Sequence, residues 1–374
     1  GAGGTNRTFS VAPGSNALPS GLTLTGSTGA ITGQIAANQD GVTTSVTFRL
    51  TDNGSGLFTD RAINIVGSGS LYAFTSFTFT NAGQTGRTGP SLATLTGHSD
   101  YSSAAWRTDT NNFSQVSGKQ GFQLWTIPTS GTYRIIAKGA MGGDGDTASK
   151  MGGYGGEVQA DFAFTKGTKI VIIVGQKGED SGPTGANKGG AGGGGTYVLA
   201  GGTNFYPSST NDIYLIAGGG AGGHSYSGSL SRTASANASS NGSSPNGGLA
   251  ASTTTYEPGG GAGWGGSGAG SSGSYPSGGR NPENAATGGY GGYSSNETSH
   301  RRYGGFGGGG GNGAHSSGGG GGYGGGQAQY WGTNTLAAAS TSYIQASTLA
   351  RVSGTAVFSG NHTSENGSVI ITKL

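Results

Sequence analysis

GGFGGGGGNGAHSSGGGGGYGGG, residues Gly304–Gly326, is the stretch whose reading decides the fold. It is almost all glycine, broken by single aromatics, Phe306 and Tyr323, and by one small polar loop. Glycine has the most backbone freedom to lose on ordering. A tract of this kind is therefore either left disordered or ordered by something other than side-chain burial. The ordered alternative is an extended left-handed helix of the polyproline-II kind, with three residues per turn, about 3.1 Å of rise and no internal hydrogen bonds. Its N–H and C=O groups point outward, where parallel or antiparallel neighbours satisfy them and Cα–H···O contacts close the remaining gaps. Only glycine lets six such rods approach closely.

Working outward, similar tracts recur at Gly189–Gly195, Gly218–Gly223, Gly259–Gly270 and Gly288–Gly292, separated by Ser, Asn and Thr-rich connectors. Composition by itself leaves disorder open here. Two features favour order. Strand-like segments, Thr196–Leu199 and Asp212–Ala217, are interleaved with the tracts, and the closing GSVIITKL (Gly367–Leu374) reads as a strand that returns to a sheet.

The whole chain bears this out in composition. Of 374 residues 85 are glycine, while 31% are hydrophobic and 9% charged, so an ordinary apolar core cannot run through all of it. A net charge of +3 without a basic run gives no electrostatic reason to expect nucleic acid as a partner. Cysteine is absent, which points away from a disulfide-stapled animal domain and toward a bacterial, viral or otherwise cysteine-free extracellular product. No apolar run has the length of a membrane span, so membrane insertion is not expected. The opening GAGG suggests a processed form or a fragment.

Upstream of the glycine region the period changes to two. FSVAP, LPSGLTLTGSTGAITGQI, SVTFRLTDNG and RAINIV predict a small all-β module over residues 1–69, with Gly, Pro, Asn and Asp at its turns. Leu18–Gly33 resembles the immunoglobulin-like repeats of bacterial and phage surface proteins, which implies a stalk or spacer. Beyond it, Tyr72–Thr80, Gly121–Ile127, Tyr133–Lys138, Glu157–Phe164 and Lys169–Val174 alternate as strands do, and Gly83–Trp106 reads as turns. With no helical periodicity, a β-sandwich of jelly-roll type is favoured.

FTFTNAGQTGRTGP (77–90), GFQLWTIPTSGTYRIIAKGAMGGDG (121–145), VGQKGED (174–180), IAGGGAGG (216–223), the 304–326 stretch and GSVIITKL occur in one order. That order resembles the glycine-rich region of anaplastic-lymphoma-kinase-like receptors and similar segments in tail fibres of marine T4-like bacteriophages. The resemblance covers nearly all of residues 72–374. Together with the small immunoglobulin-like sandwich read over 1–69, it implies a fold that is all-β plus polyglycine-II, with a tumour-necrosis-factor-like (TNF-like) jelly-roll sandwich over 70–138, 156–174 and 340–374. An inserted polyglycine-II bundle would occupy 139–155 and 175–339. Where the receptors have cysteines this chain has Asn81 and Ala82 before Gly83, and Ser316 after His315. Receptor signalling is not expected without a membrane helix or kinase domain, and the immunoglobulin-like stalk favours the phage branch.

Chemistry is sparse. The strand DIYLIA runs into Gly218, Gly220 and Gly223 in dinucleotide-binding spacing, but neither a helix nor an acidic residue follows, so no cofactor is expected. The five histidines lack zinc-ligand spacing, and Asp144 with Asp146 makes a poor calcium loop, so no metal is expected. No serine–histidine–acid order or close carboxylate pair marks an enzyme. Glu179 and Asp180 lie in the element GQxGED of the resembled family, which implies a structural role.

The residues suited to binding sit in the connectors: Tyr226, Tyr256, Tyr275, Arg280, Tyr293, His300, Arg301, Arg302, Tyr303, His315, Tyr330 and Trp331. Tyr, Trp and Arg dominate binding hot spots because they bury large area at modest entropy cost. On rigid rods such loops would act as variable contacts on a fixed frame. Phe306 and Tyr323 read instead as cover for the rods' flanks. The expectation is a non-catalytic phage tail-fibre or adhesin segment, extracellular on the virion, whose partners are a host cell-surface receptor and other fibre subunits. A homotrimer and a monomer both stay open. A structural fibre protein of a virion or bacterial surface is the alternative, and a glycan depolymerase the third class.

Overall fold

The computed structural model describes residues 6–33, 35, 42–67, 70–146, 150–181, 189–202, 205, 209–224, 234–250, 257–270, 277–291, 301–313, 316–329, 336–346 and 349–374. The chain divides into two compact units. One comprises Gly1–Ala73 with Ile127–Gly131 and Phe164–Thr168, and the other the remainder.

In the first unit β1 (Arg7–Val11), β4 (Thr43–Asp52) and β5 (Phe58–Val66) form an antiparallel sheet in the order β1-β4-β5. The hairpin β2 (Leu22–Leu24) and β3 (Ile31–Gly33) makes a second, two-stranded sheet. Alternation assigns the faces: Val46 is fully buried opposite Ile63, while Arg49 and Asp60 pair on the other side at 2.8 Å.

The second unit is built on two antiparallel sheets. Its strands are β6 (Ser76–Phe79), β7 (Phe113–Gln115), β8 (Phe122–Thr126), β9 (Gly131–Lys138), β10 (Gly156–Phe164) and β11 (Lys169–Ile173). After these come β12 (Thr196–Ala200), β13 (Ile213–Ala217), β14 (Tyr343–Ile344), β15 (Val357–Asn361) and β16 (Ser368–Lys373). One sheet runs β15-β10-β9-β16-β6, so the last strand does return to a sheet, between β9 and β6. The other runs β14-β13-β12-β11-β8-β7. Thus β12 and β13, the strand-like segments between the glycine tracts, are members of this sheet. The segment read as turns contains a helix, α1 (Leu92–Gly97), started by Ser91, whose side chain accepts the Thr94 N–H.

Trp125 on β8 joins the sheets. Its ring lies 5.5 Å from Phe79 of β6 and 6.5 Å from Tyr133 of β9, with Phe74 and Trp106 also in contact. Because strand side chains alternate, the neighbouring Phe122 and Leu124 face the other way. They enter a cluster with Val171, Ile173, Tyr197 and Leu199 and with three aromatics from the glycine tracts, Trp264, Phe306 and Tyr323. The interruptions in the glycine sequence are therefore anchors that hold the tracts on the sheet.

The tracts themselves are held by backbone. Along Gly190–Gly195 successive N–H groups donate to different neighbours: Gly190 and Gly193 to Gly223 and Gly220, Ala191 and Gly194 to Glu179 and Gln176, Gly192 and Gly195 to Gly310 and Gly307. Its carbonyls accept from Gly318 and Gly321, from Gly143 and Ala140, and from Gly305. Donation thus returns to the same neighbour every third residue. Side chains have no room in this arrangement, since a Cβ built at Gly192 would overlap the Gly319 carbonyl and one at Gly305 the Gln176 carbonyl.

Among the described residues no helix is long and apolar enough to cross a membrane.

Candidate functional site

Of the residues expected to bind, Arg302 lines a cleft of about 470 Å³ in the second unit, and Tyr303 reaches its wall through hydrogen bonds with Glu179, while Arg301 is not among the lining residues. Arg302 there faces Lys177, Glu179, Asp180 and Glu365, with Thr85 and Gly86 along one side. Arg280, half-buried, is not among the lining residues. Tyr226, Tyr256, Tyr275, Tyr293, His300, His315, Tyr330 and Trp331 lie outside the described residues.

Backbone pairing sets each wall. The Arg302 N–H donates to Asn312 Oδ1 at 2.9 Å, and the Asn312 N–H returns to the Arg302 carbonyl at 3.2 Å. The guanidinium then reaches over to the Ser181 carbonyl at 2.7 Å, with a second N–H on the Arg301 carbonyl. Glu179 is clamped to Tyr303 in both directions: its Oε2 accepts the Tyr303 N–H at 2.9 Å and its own N–H donates to the Tyr303 carbonyl at 3.1 Å. Gly86 closes the opposite side with φ of +85°, a conformation that glycine adopts without a Cβ penalty.

Charge is distributed rather than concentrated. Lys177 Nζ bridges Asp180 and Glu365, each at 3.1 Å. Burial opposes the Lys177 charge, but hydrogen bonds and attraction from these two carboxylates outweigh it and raise its pKa. Burial raises the Glu179 carboxyl above its ordinary value, and the Tyr303 N–H and the Arg302 charge only partly offset this. With two cations and three carboxylates, the lining carries a formal charge of −1. Such a surface suits a polar ligand bound through several directed hydrogen bonds, and it carries no nucleophile–base pair.

Next to the cleft an aromatic stack fixes Tyr303. Its ring meets Tyr290 edge to face at 5.8 Å, and the Arg87 guanidinium lies 3.8 Å over the other partner, Tyr290. Arg87 also donates to the Gly288 carbonyl at 3.0 Å. The carboxylates of the GGDGD segment serve nearby: Asp144 accepts the Gly152 N–H at 2.7 Å and Asp146 pairs with Lys150 at 2.8 Å. Among the described residues no group of acidic or histidine side chains is placed to hold a metal ion.

Sequence reasoning singled out Arg302 from its residue type and loop position. It missed Lys177 and Glu365 as cleft residues, and it read Glu179 and Asp180 as structural only. The signal available was the dense charge of QKGED between glycine tracts, in a chain where charge is scarce.

Two comparisons with known proteins bear on the chain. Residues 1–67 match the family described as "Putative Ig domain". They form an immunoglobulin-like domain. The chain is also 32% identical over 108 residues to leukocyte tyrosine kinase receptor from Mus musculus, a match that takes in 29% of this chain and 12% of the receptor's length.

Proposed function

We propose that the chain is a segment of a phage tail fibre or adhesin that binds a host cell-surface receptor without catalysis. In this reading the glycine tracts are a polyglycine-II bundle carried by a TNF-like jelly-roll sandwich, and the immunoglobulin-like domain is a spacer. The observation that carries it is the three-residue period of donation along Gly190–Gly195, the period of a three-fold extended helix. A lattice of this kind holds its connectors on a stiff frame, and Arg302 and Tyr303 stand where one tract meets the charged cleft. Contacts of modest strength would then gain from repetition in a multivalent fibre.

The reading is tested by adsorption of the fluorescently labelled chain to candidate marine bacteria. The same chain with Ser294–Tyr303 replaced by a Gly-Ser loop, and one with Arg302→Ala, serve as comparisons. Specific binding that falls at least tenfold in both supports a receptor site at this end of the tract. A folded chain that adsorbs to nothing favours the second reading, a structural fibre element in which the glycine lattice supplies stiffness alone.

A further inference from the structure

The immunoglobulin-like domain leaves a long strand edge open. In the order β1-β4-β5, β5 is paired on one side only, and among the described residues nothing pairs with its outer edge. Its nine residues are exposed apart from Ile65, and the exposed set includes Phe58 (57%), Ile63 (46%) and Val66 (49%). Between Arg7 and Val66 the buried hydrophobic residues are only Ala12 and Val46 among those described. An unpaired edge of this length with apolar side chains is a template for another strand.

We propose that two copies of this chain pair antiparallel through β5, about a two-fold axis at Ala62, merging two three-stranded sheets into one of six strands. The register follows from charge and length. A two-fold axis perpendicular to the sheet sets each residue opposite one on the same face. Centring at Ala62 pairs all nine positions: Phe58 meets the partner's Val66, Thr59 the partner's Ile65, Asp60 the partner's Asn64, Arg61 the partner's Ile63. The small Ala62 meets its own counterpart. Centring at Asp60 or Arg61 instead sets like charges face to face, which cross-strand pairing disfavours. Centring at Ile63 leaves Phe58 and Thr59 unpaired. The Ala62 register alone uses the whole strand, opposes no like charges and covers Phe58 with Val66 twice. The inference does not rest on the receptor reading.

The chain has no cysteine, so single cysteines report the register directly. Directly opposed residues have Cα atoms about 4.5–5.5 Å apart, within the disulfide range. The full-length Ala62→Cys chain, oxidised in air with a copper catalyst, is expected to form a covalent dimer. Asp60→Cys alone is expected to stay monomeric on a reducing-agent-free gel, while Asp60→Cys mixed with Asn64→Cys gives the heterodimer. Ala62→Lys, an exposed change that sets two ammonium groups together on the axis, is expected to raise the dimer dissociation constant at least tenfold in sedimentation, with an unchanged circular dichroism spectrum. A wild-type chain that stays monomeric at the highest soluble concentration, with Ala62→Cys uncrosslinked, overturns the proposal. So does crosslinking of Asp60→Cys alone as efficient as that of Ala62→Cys.

Discussion

Glu179 and Tyr303, 124 positions apart in sequence, hold each other through two hydrogen bonds, one from backbone to carboxylate and one from backbone to backbone. The first needs an acceptor, yet burial disfavours its charge. A carboxyl whose folded pKa lies above the ordinary 4.5 binds its proton more tightly in the native state. Its contribution to stability is full below that value and declines as pH rises through the folded pKa. Glu179→Gln, which keeps an acceptor for Tyr303, is expected to flatten this part of the pH–stability curve and to be at least as stable as wild type at neutral pH. Glu179→Ala strands the Tyr303 N–H and is expected to cost about 1–3 kcal/mol. Thermal melts of both variants between pH 4 and 8, on the order of half a unit apart, check this.

Within the glycine lattice, Gly192→Ala is expected to destabilise by about 3 kcal/mol, because its methyl would overlap the Gly319 carbonyl and neither backbone can retreat. Gly97→Ala is the contrast. It sits at the end of α1 with open space around it, so the change is expected to be neutral or to stabilise by about 0.4–1 kcal/mol. Denaturant melts of the two proteins separate steric exclusion from glycine's general flexibility.

Phe306 is fully buried, and its ring lies against the backbones of Gly89 and Gly121. A Cβ at either glycine would sit 2.7 Å or less from that ring. Phe306→Ala is expected to cost about 3–5 kcal/mol, and Gly121→Ala, with φ of +84° as well, to be destabilising rather than compensating when the two are combined. A double-mutant cycle by chemical denaturation measures the coupling.

His362 gives a pH effect of the opposite sign to Glu179. Its Nδ1 accepts the Ser364 N–H at 3.1 Å, so Nε2 carries the proton toward the Gly139 carbonyl and the ring is neutral. Burial lowers its pKa below the ordinary 6.5, opposed by the Gly139 hydrogen bond, with Lys138 lowering and Glu157 raising it. A group lowered in the folded state stabilises fully above the unfolded value and loses that stability as pH falls through the folded one. His362→Gln is expected to remove this acid-side loss below about pH 6.5, read as a shallower fall in melting temperature.

Much of this architecture is legible in the sequence, and the rest is illegible for physical reasons. The strand β11 announces itself by the apolar run IVIIV, β8 by the apolar residues of FQLWTI, and β16 by GSVIITKL. The existence of β12 and β13 is equally plain, but not their membership of the six-stranded sheet, because strand neighbours are chosen by contacts distant in sequence. The helix α1 is too short for a period to register. At the cleft, Arg302 stands out by residue type, whereas Lys177 and Glu365 arrive from 188 positions apart through lattice and sheet, and no local pattern foretells their meeting.

The three-residue period along Gly190–Gly195 gives this tract a reading frame of its own. Deleting one residue shifts every later donor by one place in this period and takes the Gly193 hydrogen bond away from Gly220. Deleting three shortens the tract by one period and leaves the surviving donors matched to the same neighbours. Changes in the length of this tract are therefore expected to be tolerated in multiples of three, a frameshift rule written in backbone rather than in nucleic acid.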